Sequence, residues 1–533
     1  MTSLTGTGEL ARLNFRRDRF ALPACGYVIV ALVAGTAYSF RKLYPTEASR
    51  AALAATGAAN GALRFLYGQL YGSSLGALTT WRYGVWAAIF ASLMSIMVVI
   101  RHTRTDEEAG RLELVGSTAV GRQAPLAAAL VIATTADLLV AALLVAVLPL
   151  AGLPATGSAA LGLSIGACGL AFIGISAVAA QLVTVARTAR GIALAALGLA
   201  FMLRGVGDAG ASGGLSWLSW ASPLGWVQLA RPFGGERWWV LLPPVALFVC
   251  GVGLAFWLAA RRDHGAGLFP DRPGRPAASV FLRGPFGLAW RLQWGTLAGW
   301  ATGYAFVFAA SGAAAKGIGQ LFGTSSAIQR EFTRLGGQHA LTDAYLAALI
   351  LLAGLVGAAY ATAVLLRLRA EETSGRAEPV LATAVGRIRW MLGQIVVAVT
   401  GTAVLLAVAG VAAGLGYGLR IGSAGPQAGR LIAAAMAQLP PALAVAAVAV
   451  LLFGLLPTWS VAGAWTVVGV AALLELFGQV LQLSHWVLDI SPFAHAPRLP
   501  GGSVHAAPLV WLSAVAVAFC LAGLASLRRR DLT

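Results

Sequence analysis

Lysine is nearly missing from this chain: Lys42 and Lys316 are the only two among 38 basic residues. Neither follows a glycine, so the Gly-x-x-x-x-Gly-Lys-Ser/Thr loop that cradles nucleotide phosphates is absent. If ATP drives this protein, a separate subunit must bind it. Acids are scarce too, 20 in 533 residues, and charged residues reach only 11%. A soluble domain carries about a quarter, so an ordinary soluble fold is excluded. The cysteines Cys25, Cys168, Cys250 and Cys520 lie far apart inside apolar runs, which argues for small core residues and against a disulfide framework or metal site. His485, His495 and His505 share one loop, but zinc ligands usually come in closer pairs; an interfacial loop is the plainer reading. No secretory leader is expected, because Arg12, Arg16, Arg17 and Arg19 lead into the first apolar run without a cleavage site.

What fills the chain is apolar: 58% hydrophobic residues and a mean hydropathy of +0.78. Runs of about 20 apolar residues read as membrane spans. They fall near 21–40, 83–100, 126–148, 161–183, 191–206 and 240–259, then 295–314, 344–366, 391–413, 431–456, 461–480 and 508–527. The Pro/Gly/Arg-rich stretch 261–285 is a cytoplasmic linker between halves 1–260 and 286–533. Each half opens with a short amphipathic lead-in, at Leu13–Arg19 and Phe286–Trp294. The net charge of +18 reflects arginines gathered in loops of one side, with anionic lipid as a secondary partner and no nucleic acid. The predicted fold is an all-α polytopic membrane protein of about twelve transmembrane helices, arranged as two parallel six-helix repeats. It is expected in the plasma membrane with both termini cytoplasmic.

The repeat is clearest in two charged loops. Gly110, Arg111, Glu113, Val115, Thr118, Ala119, Val120, Gly121 and Arg122 return as Gly375, Arg376, Glu378, Val380, Thr383, Ala384, Val385, Gly386 and Arg387. The pair Glu107-Glu108 returns as Glu371-Glu372, read as shifted by one residue. Thr105 with Glu108 fits a capping box, and Thr118 and Thr383 fit N-caps of the following spans. A solvated topogenic loop is the bland account, but it does not explain why these residues recur in order while the spans diverge. A docking element for an outside partner explains it. Ser222-Pro223-Leu224 with Ser491-Pro492-Phe493, and Arg261-Arg262-Asp263 with Arg529-Arg530-Asp531, extend the repeat.

Glu-Glu-x-Gly-Arg-x-Glu-Leu-x-x-x-x-x-Val-x-Arg at 107–122 resembles the loop between spans 2 and 3 of ABC-2-type transporter permeases. The segments TRTDEEAGRLELV, LYPTEASRAALA, LYGSSLGALTTWR and SPLGWVQLARPF…RWW resemble an actinobacterial branch of polyketide-antibiotic exporters, the tetronasin-resistance type. That resemblance covers nearly the whole chain. It implies that the charged loops form coupling helices docking two copies of a cytoplasmic ABC ATPase, which would carry the ATP and magnesium. The docking residues would be Glu107, Glu108, Gly110, Arg111, Glu113, Arg122, Glu371, Glu372, Gly375, Arg376, Glu378 and Arg387. The substrate would be a small amphiphilic compound, and this chain would bind no cofactor and be no enzyme. Pro379 and the weaker second copy depart from the pattern.

Acids within apolar runs are functional candidates by default. Asp137 and Glu475 qualify as a substrate or proton path, with Thr134 or Thr135 as alternative structural partners for Asp137. Asp208 and Asp343 sit at span ends and read as solvated. Phe65, Tyr67 and Tyr71 suit a membrane interface. Pro440-Pro441 must break or kink its span. Asp271-Arg272-Pro273-Gly274-Arg275 echoes a major-facilitator signature in the wrong place and reads as coincidence. Two other classes stay open: an ion-coupled secondary transporter using Asp137 or Glu475, and a polytopic membrane enzyme, which would need more acids or histidines than the outer loops offer.

Overall fold

The computed structural model describes residues 3–59, 61–210, 214–263, 265–269, 277, 279, 282, 284–322, 337–477, 484–502 and 506–530. The chain divides into two compact units, Met1–Gly274 and Arg275–Thr533. No strand occurs among the described residues, and ten helices among them are long and apolar enough to cross a membrane. The protein is an all-α polytopic membrane protein.

Unit 1 begins with the surface helix α1 (Thr7–Asp18) and continues through α2 (Ala21–Leu43), α3 (Leu75–Glu108), the short α4 (Arg111–Gly116), α5 (Ala124–Leu150), α6 (Ala155–Leu182), α7 (Ala186–Ala209) and α8 (Leu242–Arg261). The core centres on α6: 78% of its apolar stretch is buried, against 17% for α8. Its small residues explain this, since a Cβ on Gly162 or Gly166 would strike Ala141 of α5 within 2.8 Å. The outer helices α2 and α8 leave Tyr27, Tyr38, Val249 and Trp257 exposed, as lipid-facing helices should.

Unit 2 comprises α9 (Pro285–Phe322), α10 (Gly337–Leu365), α11 (Arg367–Thr373), the short α12 (Ala377–Leu381), α13 (Arg387–Ile421), α14 (Ala424–Met436), α15 (Leu439–Leu455), α16 (Ser460–Phe477) and α17 (Ala506–Arg529). The predicted lead-in at 286–294 is not a separate helix; it is the first part of α9. That helix falls outside the ten because Gly, Thr, Trp and Tyr dilute its hydropathy, while the apolar part of α16, Ser460–Leu476, is simply short. Pro440-Pro441 break the tenth predicted span as expected: α14 ends at Met436, and the prolines sit in the first turn of α15, where no amide donor is needed. Gly410, Gly414 and Gly418 form a seam, where an added Cβ would meet the backbones of Ile432, Ala428 and Ala424 at 2.4–2.6 Å.

Several sequence expectations are corrected. Thr105 closes no capping box; α3 runs through it to Glu108, with π-helical turns at Thr80–Gly84 and Arg101–Thr105. Thr118 and Thr383 are not N-caps: those positions fall to Gln123 and Gly386. Asp208 is not solvated. It is 3% exposed and accepts hydrogen bonds from Ser219 at 2.7 Å and Arg204 at 3.4 Å. Arg204 also donates to the Phe65 carbonyl at 2.5 Å, tying the short helix Gly61–Tyr67 to α7. Phe65 and Tyr67 turn inward, edge-on to Phe201 and Trp81. Asp343 is partly exposed and paired with Arg430. His505 and the 271–275 motif lie outside the described residues.

Candidate functional site

The two charged loops are built alike. Each follows the polar end of a spanning helix, turns at a glycine in the left-handed region (Gly110 at φ 70°, Gly375 at φ 68°), and presents a short helix before the next span. A Cβ at either glycine would be strained, which explains why both positions are glycine.

Hydrogen bonding fixes the register between the loops. Arg104 pairs with Glu107 and Arg369 with Glu372, each three residues apart. Arg262 then closes on Glu107, and Arg530 on Glu372. Arg122 donates to the Arg262 carbonyl, and Arg387 donates to the Arg530 carbonyl at 2.6 Å. Position 104 therefore matches 369, 107 matches 372 and 122 matches 387, each 265 residues on. The acidic pair is not shifted by one: Asp106-Glu107 corresponds to Glu371-Glu372, and Glu108 corresponds to Thr373.

In unit 1, Glu107 is held by three groups. Arg262 grips it bidentately at 2.7 and 2.9 Å, Arg104 approaches to 3.1 Å, and the Gly265 amide donates at 2.8 Å. Arg104 also donates to the Ala180 carbonyl, and Arg262 to Gln181, so the clasp pins the chain after α8 against the end of α6. Asp106 accepts a forked pair from Arg17 of α1 at 2.7 and 3.0 Å and a third bond from Arg111 at 2.7 Å. That bond to Asp106 raises the Arg17 pKa above the ordinary arginine value, so the pair stays charged at any physiological pH. Asp18, beside it, contacts His102 at 2.6 Å and Arg101 at 2.7 Å. Glu108 accepts from the Ala186 amide at 3.0 Å and so caps the start of α7.

Unit 2 has a simpler clasp. Glu371 accepts from Arg367, from the Trp390 indole at 3.1 Å and from Gln394 at 3.5 Å. Arg530 joins Glu372 to the Phe453 carbonyl. The candidate residues thus divide into two groups. Glu107, Glu372 and Glu371 face inward, while Arg111, Glu113, Arg376 and Glu378 stand exposed on or beside the short helices. Glu108, Arg111 and Arg122 are exposed yet bonded, and Arg387 is partly buried.

Asp137 lies apart from these loops and is fully buried. Its Oδ2 accepts from Ser95 of α3 at 2.7 Å, its Oδ1 has no partner, and it is not bonded to Thr134 or Thr135. Thr135 bonds its own helix. The carboxyl fits only because residue 169 is glycine, where a Cβ would come within 2.5 Å of it. Glu475 sits on α16 and is partly exposed. No group of three or more His, Cys, Asp or Glu able to hold a metal is found among the described residues. Sequence reading missed the arginines of both clasps and the Arg204–Asp208 pair. The recurrence of Arg104 as Arg369, and of Arg262 as Arg530, was the available signal.

Residues 282–528 match the family described as "Multidrug efflux system permease Rv1217c, C-terminal domain". Over 532 residues the chain is 42% identical to the multidrug efflux system permease protein Rv1217c of Mycobacterium tuberculosis, covering 99% of this chain and 96% of that one.

Proposed function

We infer function from one premise: the chain belongs to the family of the multidrug efflux system permease Rv1217c. It is a multi-pass membrane permease, the membrane component of an efflux system. Beyond that, we propose an ABC-2-type exporter of amphiphilic compounds, polyketide antibiotics among them. Two copies of a separate ATPase, carrying ATP and magnesium, would dock on the cytoplasmic loops, with both termini on the same side. The observation that carries this reading is the twin clasp. An inward acid and two arginines recur in both halves, and each clasp leaves one exposed Arg/Glu pair on or beside a short helix. A rigid base under an outward polar face is what a docking element needs if it is to pass motion into the spans.

Tagged chain drawn from native membranes should bring an ATP-binding subunit with it. Glu113→Lys combined with Glu378→Lys should weaken that association on the order of tenfold, since like charges across an interface are costly, and should leave thermal unfolding unchanged. Full ATPase retention and efflux in the double variant would sink the docking reading. The unpartnered oxygen of Asp137 favours one second reading, an ion-coupled transporter. Efflux by the chain alone, abolished by an uncoupler, would select it.

A further inference from the structure

An open groove of about 480 Å³ lies between the start of α13 and the end of α17, lined by Ala384, Gly386, Arg387, Ile388, Arg389 and Arg528. Half of these residues are arginines and none is acidic. Among the described residues none of the three arginines is ion-paired, because the acids of this clasp are taken by Arg367, Arg369 and Arg530. Arg387 is held in place by one N–H on the Arg530 carbonyl, and a guanidinium has five donors, so four remain. Gly386 caps α13 with no side chain, leaving the first-turn amides without a side-chain acceptor.

The first unit does not repeat this set of three arginines. At the 265-residue register, Arg387 corresponds to Arg122, but Arg389 corresponds to Ala124. Arg528 lies two residues before Arg530, as Ala260 lies two before Arg262. The cavity beside Arg122 in unit 1 is about 40 Å³ and includes Glu107 and Asp263 in its wall. The tether arginine is kept in both halves; the two further arginines belong to the second alone.

Both groove walls are ends of spanning helices, Arg387–Ile421 at its start and Ala506–Arg529 at its finish. That is the depth of lipid headgroups, where basic pockets between helix ends bind acidic headgroups. The volume suits a headgroup, and forked guanidinium donors match phosphate oxygens. We propose that Arg387, Arg389 and Arg528 form a phosphate-binding site, specific to the second half, that takes the phosphodiester headgroup of an anionic phospholipid.

Native mass spectrometry of the purified chain, titrated with phosphatidylglycerol or phosphatidylcholine, tests it. R389A/R528A should lose phosphatidylglycerol affinity on the order of tenfold, with phosphatidylcholine binding unchanged. R529A removes a neighbouring exposed charge on the same helix and should stay within about twofold. R389K/R528K should recover part of the loss, since it restores charge but not the fork. Equal losses in R389A/R528A and R529A, or no loss in either, overturn the site. Displacement of bound phosphatidylglycerol by excess inorganic phosphate would overturn the lipid assignment and leave a site for soluble phosphate; retention supports the lipid. All three altered side chains lie on the surface or its edge, and matching thermal unfolding curves would exclude misfolding.

Discussion

Glu107 in the first unit and Glu372 in the second hold the same place in the same clasp, yet they anchor different things. Glu107 gathers the chain after α8 through Arg262 and Gly265, while its neighbours Asp106 and Glu108 reach α1 and the start of α7. Glu372 gathers the end of α17 through Arg530, which also bonds the Phe453 carbonyl of α15, and Glu371 spends its oxygens on Arg367 and on Trp390 and Gln394 of α13. The first loop is therefore mechanically joined to more of its unit. A push on α4 would be felt by the linker, α1, α6 and α7; a push on α12 would be felt by α13, α15 and α17. Duplication kept the arginine–acid core and let the attachments diverge.

Removing the central acid should break this comparison most visibly. Glu107→Ala strands Arg104, 1% exposed, and Arg262, 13% exposed, and breaking a buried pair costs about 3–5 kcal/mol. Glu372→Ala strands Arg369 and Arg530, 21% and 17% exposed, where water compensates in part and the loss should be about 1–3 kcal/mol. Denaturation of both variants in one detergent checks the order. Equal losses would mean that the extra attachments of the first clasp contribute nothing.

The membrane interiors offer the next contrast. Asp137 corresponds at the 265-residue register to Thr402, which is buried and bonds the Ala398 carbonyl of its own helix. Ser95, the partner of Asp137, corresponds to Tyr360, whose hydroxyl has none. The second unit thus has a neutral version of the first unit's acidic spot. Thr402→Asp should destabilise by about 2.5–3.5 kcal/mol, the insertion cost of an acid at a helix centre. Asp137→Asn should fall within about 1 kcal/mol, since the Ser95 bond survives. If Asp137→Asn also leaves efflux and its response to an uncoupler intact, Asp137 is a packing residue.

Glycine seams give a smaller effect. Gly414→Ala would drive a methyl into the Ala428 backbone at 2.4 Å, whereas Gly166→Ala meets chiefly the Ala141 methyl at 2.8 Å. Overpacking costs about 1–3 kcal/mol, and Gly414 should stand at the upper end because backbone yields less than a side chain. The reverse order would show that α14 moves more easily than α5.

Much of this was legible in the sequence because membrane spans declare themselves by length and hydropathy. The break at Pro440-Pro441 followed from covalent geometry. The clasps were not legible as clasps. Arg261-Arg262-Asp263 and Arg529-Arg530-Asp531 were recognised as repeats, but that Arg262 and Arg530 reach back some 155 residues to an acid is a tertiary fact. Asp208 was misread for the same reason: its position at a span end implied water, while Arg204 and Ser219 had already enclosed it. The one-residue offset between the acid pairs came from matching Glu to Glu; the shared arginine partners of Glu107 and Glu372 set the register, which places Asp106 opposite Glu371.

The least disturbing substitutions sharpen the comparison furthest. Glu113 and Glu378 are both exposed, on α4 and α12, so Glu113→Lys and Glu378→Lys made singly should leave unfolding unchanged. If both loops dock the same ATPase, each single variant should weaken ATPase retention, and the double should weaken it further. The clasps predict that the two will differ in efflux rather than in binding. A partner bound at α4 pulls on Glu107's wider set of attachments, so Glu113→Lys should slow ATP-dependent export more than Glu378→Lys at equal ATPase occupancy. Matched export rates at matched occupancy would mean that the broader anchoring of the first loop holds the fold together and carries no force.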